Sequence, residues 1–443
     1  MLSIIHNKIS IMWAILLFFL ISSYAAAMES GGKYLDLIPD VFVGMSANHV
    51  VEHAFVVEKD TQKLFLFEFD GSYRKIFSMD CSTGESSGPK KLSGDKRTPE
   101  GVYFFIKEHK ERDLSESYGS GAFPTDYPNI LDKIKGKNGN AIWLHGLGKP
   151  MKPRDTQGCV ALKNQDLDKV KKYVDLNRTP IIIEEKLSYV PLNSMAETGE
   201  KISAFISAWN DTFVNGTYHQ YLEYFDSDYF PEISWWTEWK NLKENINDLN
   251  IDIKIKRASI YKHKDVYVVL FDHVIKSGEK EINAGTRKLF LSYDDEHLKI
   301  ITEEFQIKPD KKDNNNPLLA KVKRVKKLVL KERDVKKFVN NWIVSWSSKN
   351  IKNYANCYSN NFRSRYGMNL NQWLSYKNRL NRLYDYINVS IENLTISPGS
   401  KEYIVRFVQN YESSGFSSIS DKKLVLKQEK DKWKIYSEVS INR

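Results

Sequence analysis

The chain has 443 residues, a formal net charge of +10 and 13% aromatic residues, a composition suited to folded domains and not to a disordered or fibrous chain. Its Lys and Arg are interleaved with Asp and Glu instead of blocked, which argues against a nucleic-acid partner. Three cysteines, Cys81, Cys159 and Cys357, leave at least one thiol unpaired and exclude a disulfide framework.

In chain order, residues 1–27 read as a signal peptide. Lys8 supplies the positive charge, Ile11 to Ile21 form an apolar run short for a membrane span, and Ala25-Ala26-Ala27 offers a small-residue exit. An uncleaved anchor is the alternative. The expectation is an exported protein, peripheral to a membrane at most. After an N-terminal segment (28–47), residues 48–187 carry a strand-like pattern. Turn signals at Lys59-Asp60 and Asp70-Gly71 separate apolar runs, followed by "TPEGVYFFI", "AIWLH" (141–145) and "PIIIEE" (180–185). Between the last two, "NQDLDKVKKYVDL" reads as an amphipathic helix capped by Asn164. The prediction is an antiparallel β domain, one of several domains each burying its own core.

Beyond it lies an internal repeat. Phe205 aligns with Phe338, Trp209 with Trp342, Phe213 with Trp346 and Tyr221 with Tyr354, all 133 apart, and Trp239 faces Trp373. Each copy predicts a long aromatic helix, a short helix and a run of strands. The modules span 200–307 and 331–443, with a solvated Asn, Lys and Pro-rich linker at 308–330 running into a basic helix. Aromatics at helical spacing are core or line a ligand pocket; Trp235-Trp236, outside the repeated positions, is a weaker sugar-stacking candidate.

His145 ends an apolar strand, and Cys159 follows Gly158 in "TQGCVAL". As zinc ligands they make only two of the three or four required, and no C-x-x-C or H-x-x-x-H completes the set, His109 being the nearest further candidate. No metal and no cofactor is expected. As a nucleophile and base they fit better, because a glycine beside a loop thiol permits close backbone approach. Residue types alone leave a core histidine and a buried thiol open.

"HG" followed by "TQGCVAL" resembles the HG...S-x-G-C-[IV] signature of the L,D-transpeptidase (YkuD-type) family. Upstream, "STGESSGPKKLSGDKRTPEGVYFF" is similar to that family's STG...GD..TP.G.Y strands, and "AFPTDYPNILD" resembles a subgroup segment carrying Y-P-N. The resemblance implies a mainly-β sandwich acting on peptidoglycan stem peptides, in the periplasm of a Gram-negative bacterium. Cys159 would attack the carbonyl between diaminopimelate and the terminal D-alanine, giving a thioester. His145 would be the base, oriented by the Gly146 carbonyl, with amides at Gly158 and Cys159 as oxyanion donors. Thr156 stands where Ser is usual and Tyr127 is a candidate wall of the substrate groove, with core packing as its other role. Ala161 stands where many members carry Arg, which leaves the acyl acceptor open.

The helix-then-strands order of the repeats resembles the cone-shaped nuclear transport factor 2-like α+β fold. The combination is similar to cell-shape-determining L,D-carboxypeptidases of helical bacteria, in which water takes the acyl group; another relative detaches lipoprotein from peptidoglycan. Two modules in tandem depart from that pattern. They are candidates for binding an envelope protein or ligand, and a non-catalytic wall-binding scaffold is the competing reading.

Overall fold

The computed structural model describes residues 37–45, 51–229, 240, 241, 243–246, 251–278, 280–294, 297–308, 317–399 and 402–442. The signal-like segment, Trp235-Trp236 and Trp239 lie outside these residues. Among the described residues, no helix is long and apolar enough to cross a membrane. Contacts divide the chain into two compact units, Met1–Val322 and Lys323–Arg443.

The first unit opens with β1 (Leu37–Pro39) and β2 (Phe42–Gly44). The β domain follows as β3 (Glu52–Glu58), β4 (Lys63–Phe69), β5 (Tyr73–Asp80), β6 (Gly101–Phe104), β7 (His109–Lys110), β8 (Gly121–Pro124), β9 (Trp143–His145), β10 (Val160–Ala161), β11 (Pro180–Glu184) and β12 (Tyr189–Pro191), with helices α1 (Ile130–Ile134) and α2 (Asn164–Val170). One sheet has the order β5-β4-β3-β11-β6 and the other β10-β9-β8-β7. The expectation of a purely antiparallel domain is corrected: β11 runs parallel to β3, and β10 parallel to β9. Each parallel pair is joined by a crossover instead of a hairpin, as parallel strands require, and short apolar runs carry no mark of strand direction.

The period-2 alternation of side chains sends Phe55, Val57, Leu64, Leu66, Ile181 and Ile183 into a core shared with Phe123, Leu144 and Val160 of the smaller sheet. Their neighbours Ala54, Val56, Phe65, Phe67 and Ile182 point the other way. There they meet Tyr261, Val266, Val268, Leu270 and Phe290 of the following module. The larger sheet is therefore buried on both faces, one on the domain's own core and the other on a core shared with the following module.

That module consists of α3 (Ala196–Asn215), α4 (Tyr218–Leu222) and the antiparallel strands β13 (Asp252–His263), β14 (Val266–Ser277), β15 (Lys280–Asp294) and β16 (His297–Ile307). The sheet gains a fifth strand from the N-terminal segment, because β2 pairs with β13.

Helix α5 (Pro317–Ser347) spans the unit boundary and takes in residues 317–330 of the expected linker. Pro317 sits at the helix start, where its missing N–H costs nothing, and no Gly or further Pro interrupts the helix after it. The second unit continues with α6 (Ile351–Asn356), β17 (Tyr358–Ser364), α7 (Leu370–Leu383), β18 (Ile387–Pro398), β19 (Tyr403–Ser413), β20 (Ser417–Glu429) and β21 (Lys432–Asn442), in the sheet order β17-β21-β20-β19-β18. The repeat is visible in detail. Trp209 lies 6.2 Å from Tyr221 and Trp342 lies 6.3 Å from Tyr354, all four buried. Phe225 bridges Ile300 in parallel as Tyr358 does Ile435. These repeated aromatics are core.

Candidate active site

Strand β9 delivers His145 and strand β10 follows directly on Cys159, so the parallel register of Ala161 with His145 and Val160 with Leu144 brings the two segments side by side. The His145 Nδ1 lies 2.5 Å from the Gly146 carbonyl oxygen. A carbonyl only accepts, so Nδ1 carries the proton and Nε2 keeps a lone pair. The ring is buried and meets Tyr118 edge-on at 5.0 Å. Burial lowers its pKa below the ordinary 6.5, with the Gly146 bond opposing.

Cys159 is the partly exposed cysteine of the three; Cys81 and Cys357 are buried. Its thiol donates to the Ala141 carbonyl at 3.3 Å. Burial raises its pKa above the ordinary 9, opposed by the Trp143 amide and by the Lys90 ammonium. The two shifts run in opposite directions, and both favour the neutral forms, imidazole and thiol.

Two glycines are dictated by space. Gly158 has φ +126°, and a Cβ there would come within 2.7 Å of the Arg97 carbonyl oxygen. At Gly146, a Cβ would fall 2.3 Å from Asn164 Oδ1. Thr156 uses the hydroxyl that Ser would supply: it donates to the Cys159 carbonyl at 2.7 Å and accepts from the Gly158 amide at 3.1 Å. The Gly158 amide, expected as an oxyanion donor, is thus engaged within the loop by Thr156. Tyr127 is buried rather than lining a groove: it packs edge-on against Tyr103 at 5.5 Å and donates to the Asn138 carbonyl at 3.1 Å. Ala161 is fully buried and exchanges backbone hydrogen bonds with Ser82. His109 stacks on Trp143 at 5.2 Å. Among the described residues no group of three His, Cys, Asp or Glu could hold a metal.

Residues 52–183 match the L,D-transpeptidase catalytic domain (YkuD). This segment is an L,D-transpeptidase catalytic domain. Residues 334–439 match the Cds6 C-terminal NTF2-like domain, so the second unit is an NTF2-like domain attached to the transpeptidase-type domain by the intervening module. YafK of Escherichia coli (strain K12), placed by its name among L,D-transpeptidases, is 30% identical over 94 residues, 21% of this chain and 35% of YafK. The chain thus spans about a third of the length of the curated relatives it matches. Among solved structures, the helical cell shape determining protein Pgp2 from Campylobacter jejuni is 25% identical with a TM-score of 0.48, covering 60% of this chain and 95% of Pgp2. Bd1075 of Bdellovibrio bacteriovorus is 20% identical with a TM-score of 0.35, covering 92% and 99%.

The L,D-transpeptidase domain also relies on residues whose place the sequence alone does not reveal. Asn164 is not the helix cap; Lys163 holds that position without a side-chain bond, and Asn164 begins α2. Its Oδ1 instead accepts from the Ser120 amide at 3.1 Å and the Leu147 amide at 3.0 Å, clipping the start of β8 to the chain just after His145–Gly146. The motif residues upstream are also supports. Asp95 takes the Lys91, Leu92 and Arg97 amides and the Lys90 ammonium, which against the cost of burial hold its carboxyl at about 2. Lys59, fully buried, binds Glu100 and Glu185, each at 2.8 Å. A lysine beside a turn carries no sequence signal of such burial.

Proposed function

We propose that this protein is a peptidoglycan-modifying cysteine acyl-transfer enzyme of the L,D-transpeptidase type, exported to the periplasm. Cys159 Sγ attacks the carbonyl between the L-centre of diaminopimelate and the terminal D-alanine of a tetrapeptide stem. The thiol proton passes to His145 Nε2 and from there to the leaving amine, so the C–N bond breaks, D-alanine departs and a thioester remains. The Cys159 amide faces the developing oxyanion. The observation that carries this reading is the fixed tautomer: the Gly146 carbonyl holds the proton on Nδ1 and leaves Nε2 as a base on the strand beside the cysteine.

The thioester is resolved by an amine, giving a crosslink, or by water, giving a tripeptide. Ala161 supports the second route as the alternative, since it supplies none of the forked donors an arginine at that position would offer a second stem peptide. Detachment of a lipoprotein from the wall would use the same intermediate. The two modules are proposed to bring the domain to its substrate or to an envelope partner; a purely non-catalytic scaffold has no use for the paired His145 and Cys159. Purified protein incubated with defined tetrapeptide muropeptides, followed by mass analysis, tests both routes: 3-3 crosslinked dimers mean transfer and tripeptide monomers mean hydrolysis. Unchanged processing by Cys159→Ala would overturn the enzyme reading.

A further inference from the structure

We propose that Lys288, a residue of the first module, is a positioning residue for the Cys159 loop and acts through Asp126 of the L,D-transpeptidase domain. The inference rests on the reading of Cys159 as nucleophile. Lys288 lies on β15, is fully buried, and puts its ammonium 2.5 Å from Asp126 Oδ2, 2.7 Å from Glu304 Oε1 and 3.0 Å from Gln306 Oε1. The rings of Phe104 and Phe290 flank it at 5.3 and 5.6 Å.

Asp126 stands at the exit of β8, where its other carboxylate oxygen accepts the Phe104 amide at 2.9 Å. One residue earlier, Thr125 donates its amide and its hydroxyl to the Ile142 carbonyl, at 3.0 and 2.8 Å. Ile142 sits between Ala141, whose carbonyl accepts the thiol, and Trp143, whose amide opposes the rise of the thiol's pKa. The Ile142 Cδ1 also closes against Gly158, 3.3 Å from where a Cβ would stand. The path from the module's ammonium to the walls of the nucleophile thus runs through Asp126, Thr125 and Ile142. Without Lys288, Asp126 is a largely buried carboxylate with no cation, which must protonate or move, and the β8 exit moves with it.

The test compares full-length wild type, Lys288→Met, Lys288→Arg and Asp126→Asn. Three quantities are read: thermal unfolding, the pH profile of iodoacetamide labelling located on Cys159 by peptide mass, and kcat and KM on a tetrapeptide muropeptide. Lys288→Met is expected to lose about tenfold in kcat per folded molecule, with KM changed by less than about twofold, and to shift the labelling profile. Lys288→Arg restores most of both. A purely structural role would lower the unfolding temperature and leave the profile and kcat untouched, and that result overturns the proposal. Should Lys288→Met fail to fold, Asp126→Asn decides: a shifted labelling profile supports the inference and a wild-type profile defeats it. Labelling does not depend on turnover, so a protein inactive on muropeptides would sink the functional reading while still deciding the role of Lys288.

Discussion

At the scale of single residues, the pair has two titrations with opposite directions, and both have measurable consequences. Burial keeps the His145 imidazole neutral to lower pH than a free histidine, while burial keeps the Cys159 thiol protonated to higher pH than a free cysteine. The acid limb of kcat/KM is therefore expected below pH 6.5. Alkylation of Cys159 should keep climbing beyond pH 9; a plateau near neutrality would instead reveal a preformed thiolate and imidazolium. Gly158 offers a second test. Gly158→Ala puts a side chain at φ +126° against the Arg97 carbonyl, a strain of about 1–3 kcal/mol, and is expected to displace the loop and cost most of the activity.

At the scale of elements, the loops around His145 are held by side-chain clips instead of by long strands. β9 has three residues and β10 has two, too few to fix a catalytic geometry alone. Asn164→Ala leaves the Ser120 and Leu147 amides without their acceptor, a cost of about 1–3 kcal/mol, and is expected to lower kcat more than stability, as measured by parallel unfolding and turnover. Legibility in the sequence divides in the same way. Residue types and spacing leave His145 and Cys159 open between a reactive pair and an ordinary core, and it is the resemblance to a family signature that singles out His145, Gly146, Gly158 and Cys159 as candidates. Asn164 was misread because an asparagine at a helix start is ordinarily its cap, and nothing local says that two distant amides claim it instead. Arg287 and Lys288 did leave a trace, as adjacent charges inside the apolar run "TRKLFLS"; their partners, Glu303 on one face and Asp126 with Glu304 on the other, are known only from the packing.

For the whole molecule, acid sensitivity should come from the first module as well as from the active site. His273 is completely buried against Trp209, stacked at 5.7 Å, with neither ring nitrogen hydrogen-bonded among the described residues. Burial, with the Arg287 charge adding to it, pushes its pKa well below 6.5. Once unfolded, the ring takes up a proton near pH 6.5, which the folded ring refuses. Stability is then full above that value and declines as pH falls beneath it. Unfolding temperatures measured from pH 7.5 to 5 should drop, and His273→Gln, the residue type at the matching position Gln409, should flatten the decline. The repeat and the β domain were readable from the sequence as separate pieces, but the shared core between them was not, because Ala54 and Val56 look like any strand residues until the opposing face is known.

The strand Phe42–Gly44 adds a constraint on assembly in time. It completes the first module's sheet by pairing with Tyr261 and Ile260, so the whole L,D-transpeptidase domain is spliced, in chain order, between two neighbouring strands of another domain's sheet. A chain growing from its N-terminus must leave that strand waiting through the entire intervening domain before its partner exists. The first unit consequently reaches its final form late, and the catalytic loops acquire their full support only when the chain has been made well past them.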